Sequence, residues 1–184
     1  MIMSTVQIFV IFCLLFCCAC TQVDESKRKG PKELNSKESA EQSFDLNLDG
    51  KPDAWRKYTQ QAGQQILESK SFDLNFDGKV DLRRFYSRSG DVIRDEADMD
   101  FDGKVDMKSF YEGKQLVRKE INAQGKGLPE IVKYYKNGQL SYMKADHDGD
   151  GTYEAWKYAR DGKIVRYGDD LDDDSVPERW DELD

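Results

Sequence analysis

Cysteine is almost missing from this sequence beyond its first residues. All four cysteines lie at positions 13, 17, 18 and 20. Residues 21–184 therefore contain no thiol, so their fold has to be stable without disulfides. Histidine occurs once, at His147, and there is no nucleophile motif, phosphate-binding loop or dinucleotide fingerprint. Carboxylates are abundant, but their spacing is that of metal ligands, and we expect no enzymatic activity.

Positive charge and long apolar runs are also scarce. Lys and Arg number 28 against 36 Asp and Glu, which gives a formal net charge of −8. A surplus of acid without a basic face disfavours nucleic acid as a partner. The main apolar run extends from Ile8 to Cys18 and is too short for a comfortable membrane span. It is typical of the hydrophobic region of a signal peptide, which we predict over residues 1–19.

The cysteines near position 20 suggest a lipid anchor. The run Cys17-Cys18-Ala19-Cys20 resembles the lipobox of bacterial lipoproteins, in which a small residue precedes an acylated cysteine. The resemblance implies lipidation of Cys20 and a membrane partner held through that anchor. Cys17 stands where the lipobox usually has Leu, and a cleaved secretory signal or an uncleaved anchor are the alternatives. Thr21 resembles the sorting pattern of outer-membrane lipoproteins, which implies export to that membrane, on its periplasmic or surface face.

Residues 20–43 are rich in charged and small polar side chains and contain no aromatic residue. Such a composition cannot bury enough apolar surface to offset the entropy of folding, so we predict a disordered tether. Residues 44–184 then form a single domain. Its aromatic and aliphatic residues recur in short segments between acidic motifs, which indicates a repeat protein.

A nine-residue motif organises this domain. It reads DLNFDGKVD from Asp73 to Asp81, and related copies begin at residues 45, 98, 146 and 170. A degenerate copy begins at Asn122 and has Gln124 and Lys126 where the other copies have carboxylate or amide ligands. The spacing between copies settles to 24 residues. A fixed period of this length identifies an array of repeats.

The five complete copies place oxygen-bearing side chains at positions 1, 3, 5 and 9, and four of them have Gly at position 6. Ca²⁺ is bound by carboxylate, amide and carbonyl oxygens, and glycine permits the bend between alternating ligands. An EF-hand needs Glu at position 12, where these copies have Arg56, Arg84, Ser109, Lys157 and Asp181. The alternative is a set of plain hairpin turns. A turn needs only one or two such residues, so recurrence at four positions favours metal binding.

The motif resembles the D-x-[DN]-x-D-G-x-x-D calcium loops of FG-GAP and VCBS-type repeats. The resemblance covers the loops alone, because a propeller blade has four strands and a 24-residue repeat accommodates about two; the propeller fold is not implied. The resemblance implies Ca²⁺ as the cofactor. It implies as calcium ligands Asp45, Asn47, Asp49, Asp53, Asp73, Asn75, Asp77, Asp81, Asp98, Asp100, Asp102, Asp106, Asp146, Asp148, Asp150, Glu154, Asp170, Asp172, Asp174 and Glu178.

Between copies of the motif the sequence predicts β-hairpins. Alternating segments flank turns such as Asn137-Gly138 and Asp161-Gly162, a strong hairpin signal. Two sets of recurring positions are predicted to pack: Tyr58, Tyr86, Tyr111 and Tyr135 on the first strands, and Leu67, Val92, Leu116, Leu140 and Ile164 on the return strands. We therefore predict an all-β fold, a linear array of about six repeats of calcium loop plus β-hairpin that forms a meandering antiparallel sheet.

The sequence favours an exported, lipid-anchored calcium-binding protein that serves as a structural or adhesive module at the cell envelope. One alternative is a module that binds glycan, peptidoglycan or an envelope protein, with calcium only supporting the scaffold. Another is an antitoxin-like or immunity-like lipoprotein. Trp55, Trp156 and Trp180 share one repeat position, and such a row could stack against glycan, although core packing is the simpler use.

Overall fold

The computed structural model describes residues 30–34, 40–123, 125, 127–170, 172, 174 and 176–183. The predicted signal peptide, Cys20, Gln124 and Lys126 lie outside these residues. The described strands are β1 (Lys32–Glu33), β2 (Glu41–Asp45), β3 (Ala54–Gln61), β4 (Gln64–Phe72), β5 (Leu82–Tyr86), β6 (Val92–Ala97), β7 (Met107–Glu112), β8 (Gln115–Ile121), β9 (Ile131–Lys136), β10 (Gln139–Ala145), β11 (Ala155–Arg160), β12 (Lys163–Asp169) and β13 (Arg179–Glu182).

The thirteen strands form one sheet in chain order, and every neighbouring pair is antiparallel. The predicted all-β meander of loop and hairpin repeats is confirmed. The order follows from short connections, which return each strand beside the one before it. Within the described part of the chain no helix is long and apolar enough to cross a membrane.

The sheet begins inside the segment that the sequence predicts as a tether. Lys32 and Glu33 of β1 pair with Asp45 and Phe44 of β2, and the predicted domain start at residue 44 lies within β2. A two-residue edge strand carries no periodic apolar pattern, so the sequence alone could not show it. The pairing at Lys32 also means that the chain enters the sheet beside the first residue of the first acidic motif.

The two predicted sets of packed residues are partners in cross-strand pairs. Tyr58 lies opposite Leu67, and Tyr86 lies opposite Val92. The same pairing joins Tyr111 to Leu116 and Tyr135 to Leu140, each time beside a register shift in the hairpin. In the last complete hairpin Ala159 replaces the tyrosine opposite Ile164. Cross-strand pairs of this kind stabilise a sheet locally, which suits a sheet with few fully buried residues.

A ladder of aromatic rings and arginines crosses one face of the sheet from β5 to β13. The guanidinium of Arg94 lies 4.0 Å from the centroid of the Phe85 ring, and Arg118 repeats this arrangement over Phe110 at 4.1 Å. The ladder continues with Tyr134, Tyr142, Tyr158 and Trp180, whose successive ring centroids are 4.7 to 5.4 Å apart. The spacings between Tyr134 and Tyr142 and between Tyr142 and Tyr158 match the distance between neighbouring strands, whereas the Trp180 ring on β13 reaches Tyr158 on β11 across β12.

The apolar core of the described residues is small. It contacts the C-terminal half of the ladder through Tyr134, Tyr142 and Trp180. Trp156 is 4% exposed and clusters with Val132 and Tyr153. Trp180 packs against the backbone at Gly168, where a Cβ atom would come within 2.7 Å of the indole. Core packing therefore accounts for Trp156 and Trp180, the simpler of the two uses that the sequence suggested for the tryptophan row.

Candidate metal-binding loops

Each copy of the acidic motif connects a return strand to the first strand of the next hairpin. We number these connections loop 1 to loop 6, at residues 45–53, 73–81, 98–106, 122–130, 146–154 and 170–178. In an antiparallel meander, alternate connections lie at opposite ends of the strands. All six loops therefore lie at one end of the sheet, the loop end, and the hairpin turns lie at the other, the turn end. Two strands per repeat place adjacent loops about 10 Å apart.

The first and ninth residues of each of loops 1 to 3 are buried carboxylates held by backbone N–H groups. In loop 2, Asp73 accepts hydrogen bonds from the backbone N–H groups of Phe76 at 2.7 Å and Gly78 at 2.7 Å. Asp81 accepts through Oδ2 from the N–H groups of Leu74 at 2.6 Å and Asn75 at 3.2 Å. Loops 1 and 3 repeat both arrangements. These acids therefore shape the loop as well as charging it.

One carboxylate oxygen of loop 2 receives no hydrogen bond in this arrangement. Asp81 is 2% exposed, and its Oδ1 atom is buried and has no hydrogen-bond partner. A buried, unpaired carboxylate oxygen costs free energy unless a donor or a cation compensates it. Asp81 and Asp98 both line an open cleft of about 350 Å³ between loops 2 and 3, together with the cations Lys79, Arg83 and Lys104.

Among the described residues, three loops gather carboxylate oxygens within 4.8 Å of one another. Loop 3 contributes Asp98, Asp100 and Asp106. Loops 5 and 6 each contribute all four predicted ligands: Asp146, Asp148, Asp150 and Glu154, and Asp170, Asp172, Asp174 and Glu178. Clusters of this composition could hold a metal ion, and one carboxylate near others is unfavourable without positive charge.

Asp102 is not part of the loop 3 cluster and pairs with Lys104, a residue that sequence reasoning did not single out. The Nζ atom of Lys104 lies 2.9 Å from Asp102 Oδ2. This hydrogen bond lowers the pKa of Asp102. A cation that used Asp102 as a ligand would compete with Lys104 for it. The signal was present in the sequence, since loops 1 to 3 all have Lys at position 7.

Loop 6 shows the opposite electrostatic state. The carboxylates of Asp174 and Glu178 raise the pKa of Asp172. A raised pKa in the folded state means that the stability contributed by Asp172 at low pH is lost as the pH rises through that pKa. At neutral pH the charge on Asp172 is therefore unfavourable in the folded loop, and a bound cation would compensate it.

Loops 1 and 2 have Asn at position 3, where the other complete loops have Asp. The side-chain oxygens of Asn47 and Asn75 accept hydrogen bonds from the backbone N–H groups of Asp49 at 2.9 Å and Asp77 at 3.0 Å. Asp49 and Asp77 in turn accept from the N–H group of the lysine at position 7. Each loop is thus a chain of side-chain-capped turns whose exposed oxygens lie at positions 3 and 5.

Comparison with protein-family models finds no match for this chain, and comparison with curated proteins finds none either. Among solved structures, the chain is similar to part of a GtfA/B complex at a TM-score of 0.41 and 16% identity, covering 55% of this chain and 19% of that one. It is similar to part of TarM at a TM-score of 0.35 and 16% identity, covering 79% and 23%. A Gap123 complex from Streptococcus agalactiae gives 0.30 and 13%, covering 73% and 22%.

The chain thus spans about a fifth of the length of each of these chains. TM-scores of this size indicate neither a shared fold nor a shared activity.

Proposed function

We propose that the loops bind Ca²⁺ and that the chain is an exported, lipid-anchored protein whose calcium-stiffened sheet is a structural or adhesive module of the cell envelope. Its role is binding and support rather than catalysis. The observation that carries the metal assignment is Asp81, a buried ninth-position carboxylate with one oxygen unpaired. The oxygen clusters of loops 3, 5 and 6 support it.

The donor set favours calcium over other metals. The loops offer carboxylate, amide and backbone carbonyl oxygens, and no ligand position is occupied by cysteine or histidine. Oxygen-only sites suit hard cations, and the flexible coordination of Ca²⁺ tolerates loops that differ in carboxylate number. Mg²⁺ demands a tighter octahedral arrangement and keeps several of its waters. The residues that would hold calcium are the twenty predicted ligands, at positions 1, 3, 5 and 9 of the five complete loops.

The test of this assignment is a calorimetric titration of the full chain with CaCl₂. We expect about one ion for each of the five complete loops, with affinities in the range of extracellular calcium modules, on the order of 10⁻⁴ to 10⁻³ M. Asp81→Asn removes one charge at the unpaired oxygen and should lower the number of bound ions by about one. The matched control is Asp161→Asn, which makes the same change at an exposed hairpin turn of the turn end.

Asp81→Asn also alters a buried hydrogen-bond acceptor and could disturb the fold. A second variant therefore tests the same loop without changing a buried group. Asp77→Asn changes an exposed ligand position of the same loop and should also lower the bound-ion number by about one. Circular dichroism of both variants checks that the sheet is intact. A titration in which the parent chain takes up no calcium, or in which Asp161→Asn loses as much as Asp81→Asn, would contradict the assignment.

The envelope location is part of the proposal and is supported by the lipobox resemblance around Cys20. Cys20→Ser should abolish acylation in a bacterial host and move the chain from the membrane fraction to the soluble fraction. Cys13→Ser, within the apolar run, should leave acylation and membrane attachment unchanged. Unchanged membrane association of Cys20→Ser would indicate an uncleaved anchor instead.

A further inference from the structure

Large apolar side chains project into solvent from loops 1 to 3. They occupy positions 2 and 4 of each loop and are 40–62% exposed. We call this set the apolar ridge, and its members are Leu46, Leu48, Leu74, Phe76, Met99 and Phe101. Because adjacent loops are about 10 Å apart, the ridge is a row of three apolar tips about 20 Å long at the loop end. Several large apolar side chains exposed together at one end of the sheet indicate an interaction site.

The backbone conformation at position 4 of loops 1 to 3 is unfavourable for a large apolar residue. Leu48, Phe76 and Phe101 have φ values of 66°, 63° and 65°, in the left-handed region that side chains with a Cβ atom disfavour. Loop 5 has Gly149 at this position, with φ of 79°, so glycine is compatible with the same turn. A large side chain that is both strained and exposed contributes little to folding. Strain of this kind is typical of functional positions.

Charge explains why the ridge would need calcium to meet an anionic surface. Loop 1 carries three carboxylates and Lys51, a formal charge of −2 that one Ca²⁺ would cancel. Loop 2 has the same composition with Lys79, and loop 3 has one carboxylate more. Without the ions the apolar tips stand among acids that an anionic surface repels. With one ion bound in each, loops 1 and 2 become formally neutral.

The chain enters the sheet at the same end as the ridge. Lys32 pairs with Asp45, the first residue of loop 1, so Gly30 and Pro31 precede β1 at the loop end. Under the proposed lipidation of Cys20, the ten residue steps to Gly30 reach at most about 35 Å when fully extended. Under that proposal, the chain that comes from the anchor enters the sheet at the loop end.

We propose that the apolar ridge inserts into the interfacial region of an anionic phospholipid bilayer when loops 1 to 3 have bound calcium. The ridge supplies apolar side chains to the acyl boundary, and the ions remove the repulsion between loop carboxylates and lipid headgroups. A row of separate tips suits a flat lipid surface, which needs no shaped pocket in a partner. The calcium dependence rests on the proposed function of the loops. This membrane contact would be made by the apolar ridge and is distinct from the proposed lipid anchor at Cys20.

The test places an indole in the ridge of the full chain and asks whether lipid reaches it. Phe76→Trp is bound to vesicles of phosphatidylglycerol and brominated phosphatidylcholine in equal parts, with CaCl₂ or with EDTA. Bromine quenches tryptophan on contact, and the unsubstituted chain gives the background from Trp55, Trp156 and Trp180. The matched control is Ile93→Trp, since Ile93 is 44% exposed and lies near the turn end. Phe101→Trp repeats the test in loop 3.

We expect calcium to cause a loss of emission from the indoles introduced at positions 76 and 101, EDTA to restore it, and Ile93→Trp to match the unsubstituted chain. Calorimetry on the same samples separates the two hypotheses. If calcium binds but the ridge indoles stay bright, the membrane proposal is wrong and the calcium assignment stands; if no calcium binds, both fail. Equal quenching in calcium and in EDTA would contradict the calcium dependence of the insertion. If calcium makes the chain sediment without vesicles, the apolar ridge binds a second copy of the chain and the membrane proposal is wrong.

Discussion

Removal of calcium with EDTA should lower the melting temperature of the chain by about 15–30 °C. At free calcium ten-fold above Kd, one independent site stabilises the folded state by about 1.4 kcal/mol. The five complete loops would together contribute about 7 kcal/mol, comparable to the whole stability of an ordinary domain. For a chain of this size each kcal/mol shifts the melting temperature by about 2–4 °C. Differential scanning calorimetry in CaCl₂ and in EDTA measures the shift directly.

The described hydrogen bonds refine what the calcium-free state should look like. Buried carboxylates such as Asp45 and Asp73 already accept backbone N–H groups within their own loops. We therefore expect the sheet to persist in EDTA below the lowered melting temperature, with unchanged far-ultraviolet circular dichroism. Protease cleavage in EDTA should fall mainly in the complete loops and spare loop 4, whose degenerate sequence offers no calcium site to lose. Addition of Mg²⁺ should restore little of the lost stability.

A melting temperature that is indifferent to both EDTA and millimolar calcium would contradict this prediction. The loops would then be acidic turns held by their own backbone donors, as in loop 2, where Asp73 and Asp81 together bond five N–H groups. The pH dependence would still carry information. The raised pKa of Asp172, caused by Asp174 and Glu178, predicts that mild acid relieves the crowding of loop 6 in the calcium-free chain, whereas calcium removes that pH dependence.

Trp156→Ala should destabilise the sheet by about 3–5 kcal/mol, the usual cost of removing a large buried aromatic side chain. Trp156 is 4% exposed and forms the small core with Val132 and Tyr153. The surrounding strands cannot collapse onto the cavity, because the backbone ladder on both sides holds them at the fixed spacing of a sheet. Chemical denaturation, with calcium present throughout, gives the change in unfolding free energy.

Trp55→Ala is the matched control for the core prediction. Trp55 occupies the same repeat position as Trp156 but is half-buried and lies outside the described core cluster. We expect its loss to cost less than half as much. Equal losses for the two variants would mean that the tryptophans act as a uniform set along the sheet. That result would extend the packing role of Trp156 to Trp55.

Much of the fold was predictable because its contacts are local in sequence. Asn137-Gly138 and Asp161-Gly162 mark hairpin turns that the structure contains between β9 and β10 and between β11 and β12. The recurring Tyr and aliphatic positions become direct partners, such as Tyr111 and Leu116. In a meander each strand pairs with its chain neighbours, so a repeat read along the sequence is also a repeat in space. The ligand pattern is local in the same way, since each loop carries its own acids.

Details that depend on other parts of the chain were not predictable. The edge strand β1 exists because Glu33 meets Phe44, and no pattern within Lys32–Glu33 indicates a strand. The role of Gly168 depends on the Trp180 ring that lies against it from the neighbouring strand. No sequence pattern singled out Arg94 or Arg118, and each lies over the aromatic ring of an adjacent strand. Cross-strand register decides these contacts.

By itself, the sequence determined the repeat, the hairpins and the placement of acids at alternate positions, because turn chemistry and strand periodicity act over a few residues. Only the tertiary structure decided how those acids are used. It buries Asp81 with one oxygen unpaired and turns Asp102 toward Lys104. It also leaves Phe76 and its counterparts in solvent at a strained position of the loop end. The Asp102–Lys104 pair lies within one loop, whereas burial and exposure depend on how neighbouring strands stack the loops side by side, and no single repeat contains that information.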